Sequence, residues 1–335
     1  MIFCKISFFN YLDNGMDTTH ICLCFDSNII QPALLTAFSA ANAARGRIVA
    51  HLVCQEAVVP KLRHELDILA TRLGGWRPEF FTPEIHVVPE DILDAVPIHQ
   101  WPKAACLRFF IASVLPKEIK RVIYLDCDIF VAADLGELYR VDMRGHPVAA
   151  ARDTWMHAWF CAGLGLDVRR YFNSGVMLVD LAQWDTPAMR ALGLIAENAA
   201  AYSCFDQDAL NLVFKDNWLA LETRWNTMTK QQPYASLWYE FAWPDGRKNE
   251  RIPSAVYHFT PVKPWDSHCS SRVRFAYRKL ARELFEGGFP VKDNASFLAK
   301  APAWLPLPLH RLAFRLGYAI RTLRHKAGQS WKPPR

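Results

Sequence analysis

The chain has 335 residues, 51% of them apolar and 21% charged, enough apolar material for a substantial core and too much for a disordered chain. No unbroken apolar stretch reaches the roughly 20 residues that cross a bilayer, and the opening MIFCKISFFNYLDNG lacks the apolar core and small-residue cleavage site of a secretory signal. Lys and Arg total 39 against 33 acids, yet from Ser296 onward eight bases (Lys300, Arg311, Arg315, Arg321, Arg324, Lys326, Lys332, Arg335) meet no acid, so the whole positive surplus sits in the tail. The nine cysteines are odd in number, scattered and without a C-x-x-C pair, which reads as small buried hydrophobes in a reducing compartment and not as zinc or disulfide chemistry.

Residues 1–19 read as an N-terminal extension, with Met16 a candidate start. ICLCF (21–25), RIVAHLVC (47–54) and EIHVV (84–88) are short strand-like runs. Between them PALLTAFSAANAARG and AVVPKLRHELDILATRLGG carry apolar residues at a spacing near 3.6 and end on glycine, as helices do. That β-α-β-α-β alternation implies a parallel sheet with helical crossovers. A helix is expected at about 103–115, then the strand RVIYLDCDIFV (121–131). Further strands are expected at PVAAARD (147–153) and SGVMLVDL (174–181), and helices near 183–200 and 206–216. A Trp- and Pro-rich irregular stretch should fill 218–267, and RVRFAYRKLARELFEGG (272–288) should close the body as a helix. The expected architecture is one α/β domain over 20–290 and an appendage over 291–335.

Asp126 and Asp128 interrupt an apolar strand. In a strand, residues i and i+2 point to one side, so both carboxylates should project together, with Cys127 facing the opposite layer. Two adjacent carboxylates repel unless a cation lies between them, and oxygen ligands suit Mn²⁺ or Mg²⁺. At the carboxyl end of a parallel strand they would face the crevice where α/β sheets bind ligands. D-x-D alone is a weak signal, since Asp206-Gln207-Asp208 has the same spacing.

Other stretches add to it: CFDSN (24–28) with Asp26 and Asn28, AACLRFFIASVLP (104–116) with Arg108, YFNSGVMLVDLAQW (171–184), DQDALN (206–211) and HFTPVKPW (258–265). In this order the set resembles glycosyltransferase family 8, in particular its bacterial lipopolysaccharide galactosyl- and glucosyltransferases, over about residues 20–290. The resemblance implies a single-domain, Rossmann-like glycosyltransferase A fold with a mostly parallel central sheet flanked by helices. It implies a retaining hexosyltransferase that uses a UDP-hexose and Mn²⁺ (or Mg²⁺), with a lipid-linked or lipopolysaccharide-core saccharide as acceptor. By position, Asp126, Asp128 and His258 would ligate the metal, Asp26 and Asn28 would hold the base, and Lys263 would lie on the phosphates. Arg108, Asp153, Asn173, Asp206 and Gln207 match donor-sugar positions, Gln207 on the face opposite the leaving group and Asp206 as the alternative nucleophile. The family pattern H-[FY]-x-G-x-x-K-P-W is one residue longer than His258–Lys263, and Pro261 stands in its glycine region.

DTWMHAWFCAGLG (153–165) is a candidate acceptor-side loop. In LPLPLHRLAFRLGYAIRTLRHK (305–326), Leu309, Leu312, Leu316, Ile320 and Leu323 recur at three and four residues among arginines. This reads as a basic amphipathic helix attracted to anionic lipid, which places the protein in the cytoplasm, peripheral on the inner face of the membrane. Nucleic acid is not an expected partner, because the body carries no clustered bases or recognition motif. Two rivals remain: a membrane-surface sugar-nucleotide-binding protein with impaired catalysis, and a haloacid-dehalogenase-like phosphatase. Against the latter, Phe130 stands where that family prefers Thr or Val.

Overall fold

The computed structural model describes residues 17–75, 77, 79–94, 103–198, 202–228, 254–267, 269, 271 and 273–289. The extension before Asp17 and the basic tail over 291–335, including its expected amphipathic helix, lie outside the described residues.

Strands β1 (Thr18–Cys24), β2 (Arg47–Gln55) and β3 (Phe81–Val88) pair in parallel, joined by helices α1 (Ile30–Ala43) and α2 (Val59–Leu73). Gly74 ends α2 at φ +76°, the left-handed cap that glycine adopts without a Cβ penalty. The short α3 (Glu90–Asp94) follows β3. The helix expected at 103–115 is instead a 3₁₀ segment, Lys103–Phe110, that turns α-helical only in α4 (Ile111–Val114). The expected strand 121–131 divides in two. β4 (Arg121–Leu125) joins the main sheet, and β5 (Ile129–Val131) joins a second, three-stranded sheet.

After α5 (Gly136–Tyr139) come β6 (Val148–Arg152), α6 (Ala158–Gly163), β7 (Phe172–Asp180), α7 (Asp185–Asn198) and α8 (Asp206–Val213). The stretch expected to be irregular, 218–267, contributes three short strands among its described residues: β8 (Leu219–Leu221), β9 (Thr227–Met228) and β10 (Val256–His258). Helix α9 (Arg274–Leu284) closes the body.

The main sheet runs β3-β2-β1-β4-β7-β6-β8, and the small one β5-β10-β9. In the main sheet every pairing is parallel except those of β7, which runs against both β4 and β6. Alternation along β1 serves two cores, because successive side chains point to opposite faces. Ile21, Leu23 and Phe25 pack with Leu34 of α1, Leu66 of α2 and Leu280 of α9. Cys22 and Cys24 pack with Leu107, Phe110, Trp184 and Leu210 under the 3₁₀ segment, α7 and α8. All eight described cysteines are free thiols and seven are buried, as their apolar settings imply.

Candidate active site at the carboxyl end of β4

β4 stops at Leu125, and Asp126-Cys127-Asp128 form a turn between the two sheets. The carboxylates do project together, but turn geometry, not strand alternation, directs them. α1 anchors this turn through two buried hydroxyls. Thr36 Oγ1 donates to the carbonyls of Cys127 (3.1 Å) and Ile129 (2.9 Å), and Ser39 Oγ accepts from Val131 N–H (3.0 Å). The reversed direction of β7 brings its start beside the end of β4, with Leu125 opposite Val176 and Asp126 N–H donating to Gly175 O at 2.8 Å. Asn173, Ser174 and Gly175 thereby enter the site. On the other side Phe259 N–H donates to Asp128 O at 3.0 Å, which fixes β10 and His258.

Each carboxylate turns one oxygen to His258 and has the other held by a cation. Asp126 Oδ1 is 3.0 Å from Arg108 and accepts from Tyr124 O–H at 3.0 Å, while Oδ2 is 3.7 Å from His258 Nε2. Asp128 Oδ1 is 3.4 Å from His258 Nε2, while Oδ2 is ion-paired with Lys263. One ligand atom from each of Asp126, Asp128 and His258 lies within 4.8 Å of the others. His258 Nδ1 faces Asn226 Oδ1 at 3.1 Å, a contact that suits a proton on Nδ1, so that Nε2 is the position that bears the second proton of the charged ring and a lone pair once that proton is lost. Gly175 keeps the space open: a Cβ there would stand 2.3 Å from His258 Cε1 and 2.8 Å from Asp126 Oδ2.

Burial alone would raise the Asp128 carboxyl, but Lys263 and His258 outweigh it and hold the group well below the usual carboxylate range. For His258 and Lys263, burial opposes the charged form and the carboxylates prevail, so both are raised. The site is therefore charge-compensated by its own side chains.

Arg108 links this cluster to the second D-x-D. Its Nη1 lies 2.6 Å from Asp206 Oδ2, and Ser174 Oγ donates to the same oxygen at 3.2 Å. Burial nevertheless raises the Asp206 carboxyl, with Arg108 opposing. Behind it, Asn173 Nδ2 donates to Asp153 Oδ2 (3.1 Å) and Gln207 Oε1 (3.0 Å). Gln207 Nε2 donates to Asp153 Oδ2 (3.0 Å) and meets the Tyr171 hydroxyl (3.2 Å), while Oε1 also accepts from Ser174 N–H (3.1 Å). Both ends of the Gln207 amide are thus committed. Phe205, ahead of Asp206, is held at φ +42°, a conformation L-residues rarely adopt and one often found at functional sites.

Of the residues singled out from the sequence, nine meet here: Arg108, Asp126, Asp128, Asp153, Asn173, Asp206, Gln207, His258 and Lys263. Asp26 and Asn28 form their own turn after β1, Asn28 N–H donating to Asp26 Oδ1 at 2.8 Å. Asn28 lines a cleft of about 290 Å³ with Lys61 and Trp265, apart from the carboxylates. The loop His258–Lys263 contains a cis Thr260–Pro261 peptide, and despite its shorter spacing Lys263 reaches Asp128. Sequence reasoning missed Tyr124, Tyr171 and Asn226. Asn226, 3% exposed, donates to Asn173 Oδ1 at 2.8 Å and so joins the sugar-side network to His258.

A doubly covered α/β body with a D-x-D turn at the end of its fourth strand and a histidine closing on it is a glycosyltransferase of the A fold. The chain belongs to glycosyl transferase family 8, whose sequence profile matches residues 20–269. It is 32% identical over 182 residues to glycosyltransferase GlyF of Streptococcus pneumoniae (53% of this chain, 42% of that one). It is 32% identical over 184 residues to general stress protein A of Bacillus subtilis (52% and 63%), and 27% identical over 150 residues to lipopolysaccharide 1,2-glucosyltransferase of Escherichia coli (43% and 44%). The match therefore spans about half the length of these relatives. Among solved structures it is similar to galactosyltransferase LgtC in complex with donor and acceptor sugar analogues, with TM-score 0.65 and 22% identity over 79% of this chain and 96% of that one. GlyE of Streptococcus pneumoniae TIGR4 aligns with TM-score 0.56 and 20% identity over 81% and 61%. At such identities the likeness is one of fold.

Proposed function

We propose that the protein is a retaining hexosyltransferase that moves galactose or glucose from a UDP-sugar to a lipopolysaccharide-core type of saccharide, at an anionic membrane surface. The observation that carries this reading is the convergence of Asp126 Oδ2, Asp128 Oδ1 and His258 Nε2 on one space beside Lys263. These atoms fit a hard divalent cation. Two are anionic oxygens, the third is an imidazole nitrogen that becomes a lone pair when a cation displaces its proton, with Nδ1 held by Asn226, and Gly175 leaves room. Asp126, Asp128 and His258 would hold Mn²⁺ or Mg²⁺, which when bound would supply Lewis-acid neutralisation of charge on the departing diphosphate.

Lys263 is the mobile partner in this reading. Its ammonium neutralises Asp128 in the resting protein and is long enough to transfer to a phosphate oxygen when the donor arrives. Asp26 accepts from the uracil N–H, with Asn28 beside it. Asp153 offers an acceptor to a sugar hydroxyl, Asn173 holds Asp153 and Gln207 with its two N–H groups, and Arg108 keeps Asp126 and Asp206 in register. Gln207 is a poor nucleophile, and its carbonyl oxygen already accepts two hydrogen bonds. That favours front-face substitution over double displacement. The bond from anomeric carbon to diphosphate breaks, the acceptor oxygen bonds on the same face, and its proton passes to the departing phosphate oxygen. Asp206 is the alternative nucleophile, and its ion pair with Arg108 at 2.6 Å ties up one of its oxygens.

The test is Mn²⁺-dependent release of UDP from a panel of UDP-hexoses, with and without lipopolysaccharide-core acceptor. Turnover is expected in the native protein and its loss in Asp128→Ala, with the circular dichroism spectrum retained. UDP binding without turnover would favour a sugar-nucleotide-binding protein, and neither binding nor turnover would sink the proposal.

A further inference from the structure

On the sheet face that carries Cys22 and Cys24, β1, β2 and β3 present a row of imidazoles. His20 Nδ1 lies 2.9 Å from His51 Nε2, and His51 Nδ1 lies 2.9 Å from His86 Nε2. Glu84, two residues before His86 and in register with His51, brings Oε2 to 3.3 Å from His51 Nδ1 and 3.7 Å from His86 Nε2. This group shares no residue with the D-x-D cluster, and sheet spacings put it roughly 10–15 Å across the strands from Asp126.

We propose that His51, Glu84 and His86 form a second cation site, for a borderline divalent ion of the zinc class, that ties the edge strand β3 to β2. The three donor atoms make a triangle with edges 2.9, 3.3 and 3.7 Å. Ligands 2.0–2.1 Å from a tetrahedral zinc stand about 3.3 Å apart, close to the mean of those edges. The triangle has a circumradius of about 1.9 Å, so a point at zinc-ligand distance from all three lies about 0.7 Å out of their plane. A tetrahedral ion with one open position sits at that height.

The surroundings fit the same reading. His51 is fully buried, the His86 side chain is 13% exposed and that of Glu84 40% exposed, leaving a solvent path on the β3 side. His20 fixes the ring of His51 from behind, as outer hydrogen-bond partners do for metal-ligating histidines. The Val114 backbone accepts a hydrogen bond from the His86 ring. Burial lowers the His51 pKa to about 3, with His86 and His20 adding to it, and burial also lowers His20 and His86. All three imidazoles are therefore neutral near pH 7, the form that binds metal. Two imidazoles and one carboxylate select zinc or cobalt over magnesium, whereas the D-x-D cluster is richer in oxygen.

The competing occupant is no ion at all: each ring can donate its N–H to the next in a self-contained hydrogen-bonded ladder. Full-length protein without a histidine tag, stripped with chelator, separates the two when titrated with Co²⁺ and then displaced with Zn²⁺. The expected result is one Co²⁺ per chain with the intense visible bands of a four-coordinate ion, unchanged in Asp128→Ala. Those bands should be lost, or the affinity lowered at least tenfold, in His86→Gln and Glu84→Gln. Zn²⁺ at saturation should raise the melting midpoint of Asp128→Ala, in which the D-x-D cluster is disabled, by a few degrees and leave that of Asp128→Ala/Glu84→Gln unmoved. Absence of four-coordinate bands, or equal binding by the native chain and both variants, overturns the proposal and leaves the ladder. Should His86→Gln not fold by circular dichroism of the metal-free protein, the half-exposed Glu84→Gln decides alone.

Discussion

Asp208 is a buried carboxyl behind the donor-sugar residues, accepting from the Tyr171 hydroxyl on one oxygen and from Cys204 N–H at 2.8 Å on the other. Burial pushes its pKa up to about 6, more than those hydrogen bonds restore. An acid whose folded pKa exceeds its unfolded value favours folding only while it is protonated. Its contribution is complete below about pH 4 and is lost as the unfolded chain ionises first, between about pH 4 and 6. The size of the loss is on the order of 2–3 kcal/mol for a shift of about two units. Asp208→Asn lacks this titration. Across pH 4 to 6 the stability of the variant relative to the native protein should therefore rise, in urea unfolding measured at several pH values; a constant difference would contradict the raised pKa. The fold keeps this carboxylate because Tyr171 and Gln207 hang from it in sequence, and through them Asp153 and Asn173.

Among the elements, α1 does more than cover the sheet. Thr36 and Ser39 are polar residues on its buried face, and each satisfies backbone groups at the D-x-D turn or in the strand that follows it. Thr36→Val keeps the shape but removes the one proton that the carbonyls of Cys127 and Ile129 share, which should cost about 1–3 kcal/mol and weaken Mn²⁺ binding several-fold by loosening Asp128. Urea unfolding and Mn²⁺ calorimetry would measure the two effects, and unchanged metal affinity would show that the turn is rigid without the helix. Such a contact explains what the sequence made legible. α1 and α2 were readable from their apolar spacing near 3.6 and the glycines beyond them, and β1, β2 and β3 as short continuous apolar runs on either side of those helices. The break in RVIYLDCDIFV was not, because no glycine or proline marks it and the turn is held from a helix ninety residues earlier. The direction of β7 was also hidden, since parallel and antiparallel buried strands have the same apolar composition. β9 and β10 are too short to have a period, which is why Asn226 escaped notice while His258, flagged by Lys-Pro-Trp, did not. The cluster of Asp126, Asp128 and His258 was legible through motif order, whereas the pairing of each carboxylate with its own cation needed coordinates.

At the scale of the molecule, the catalytic body and the tail differ in charge. The body before Ser296 is slightly acidic, and all of the excess base lies beyond it. The body's slight acidity would not draw it to anionic lipid, so the proposed membrane contact would rest on the tail, with each base near the surface contributing about 1 kcal/mol. Full-length protein should therefore sediment with phosphatidylglycerol-containing vesicles, and release should rise with salt as screening lengths shorten. Replacing Arg315, Arg321 and Arg324 together by Gln should weaken that association at least tenfold and leave UDP release in solution unchanged. Equal sedimentation of the two proteins would assign the lipid contact elsewhere.

The join between β6 and β7 has a consequence of another kind. Asp153 N–H donates to Tyr171 O at 2.9 Å, and Arg152 pairs with Phe172. Everything between them, including α6, is hung from a closed clasp. This segment also has its own small apolar cluster of Cys161, Leu166 and Tyr171, separate from the two main cores. Closing a longer or shorter loop on the same clasp changes the entropy only slowly with length. The segment is thus an interchangeable cassette on a fixed socket. The surface of this segment can be rewritten there while Asp153 and Asn173, on the two jaws of the clasp, keep their positions.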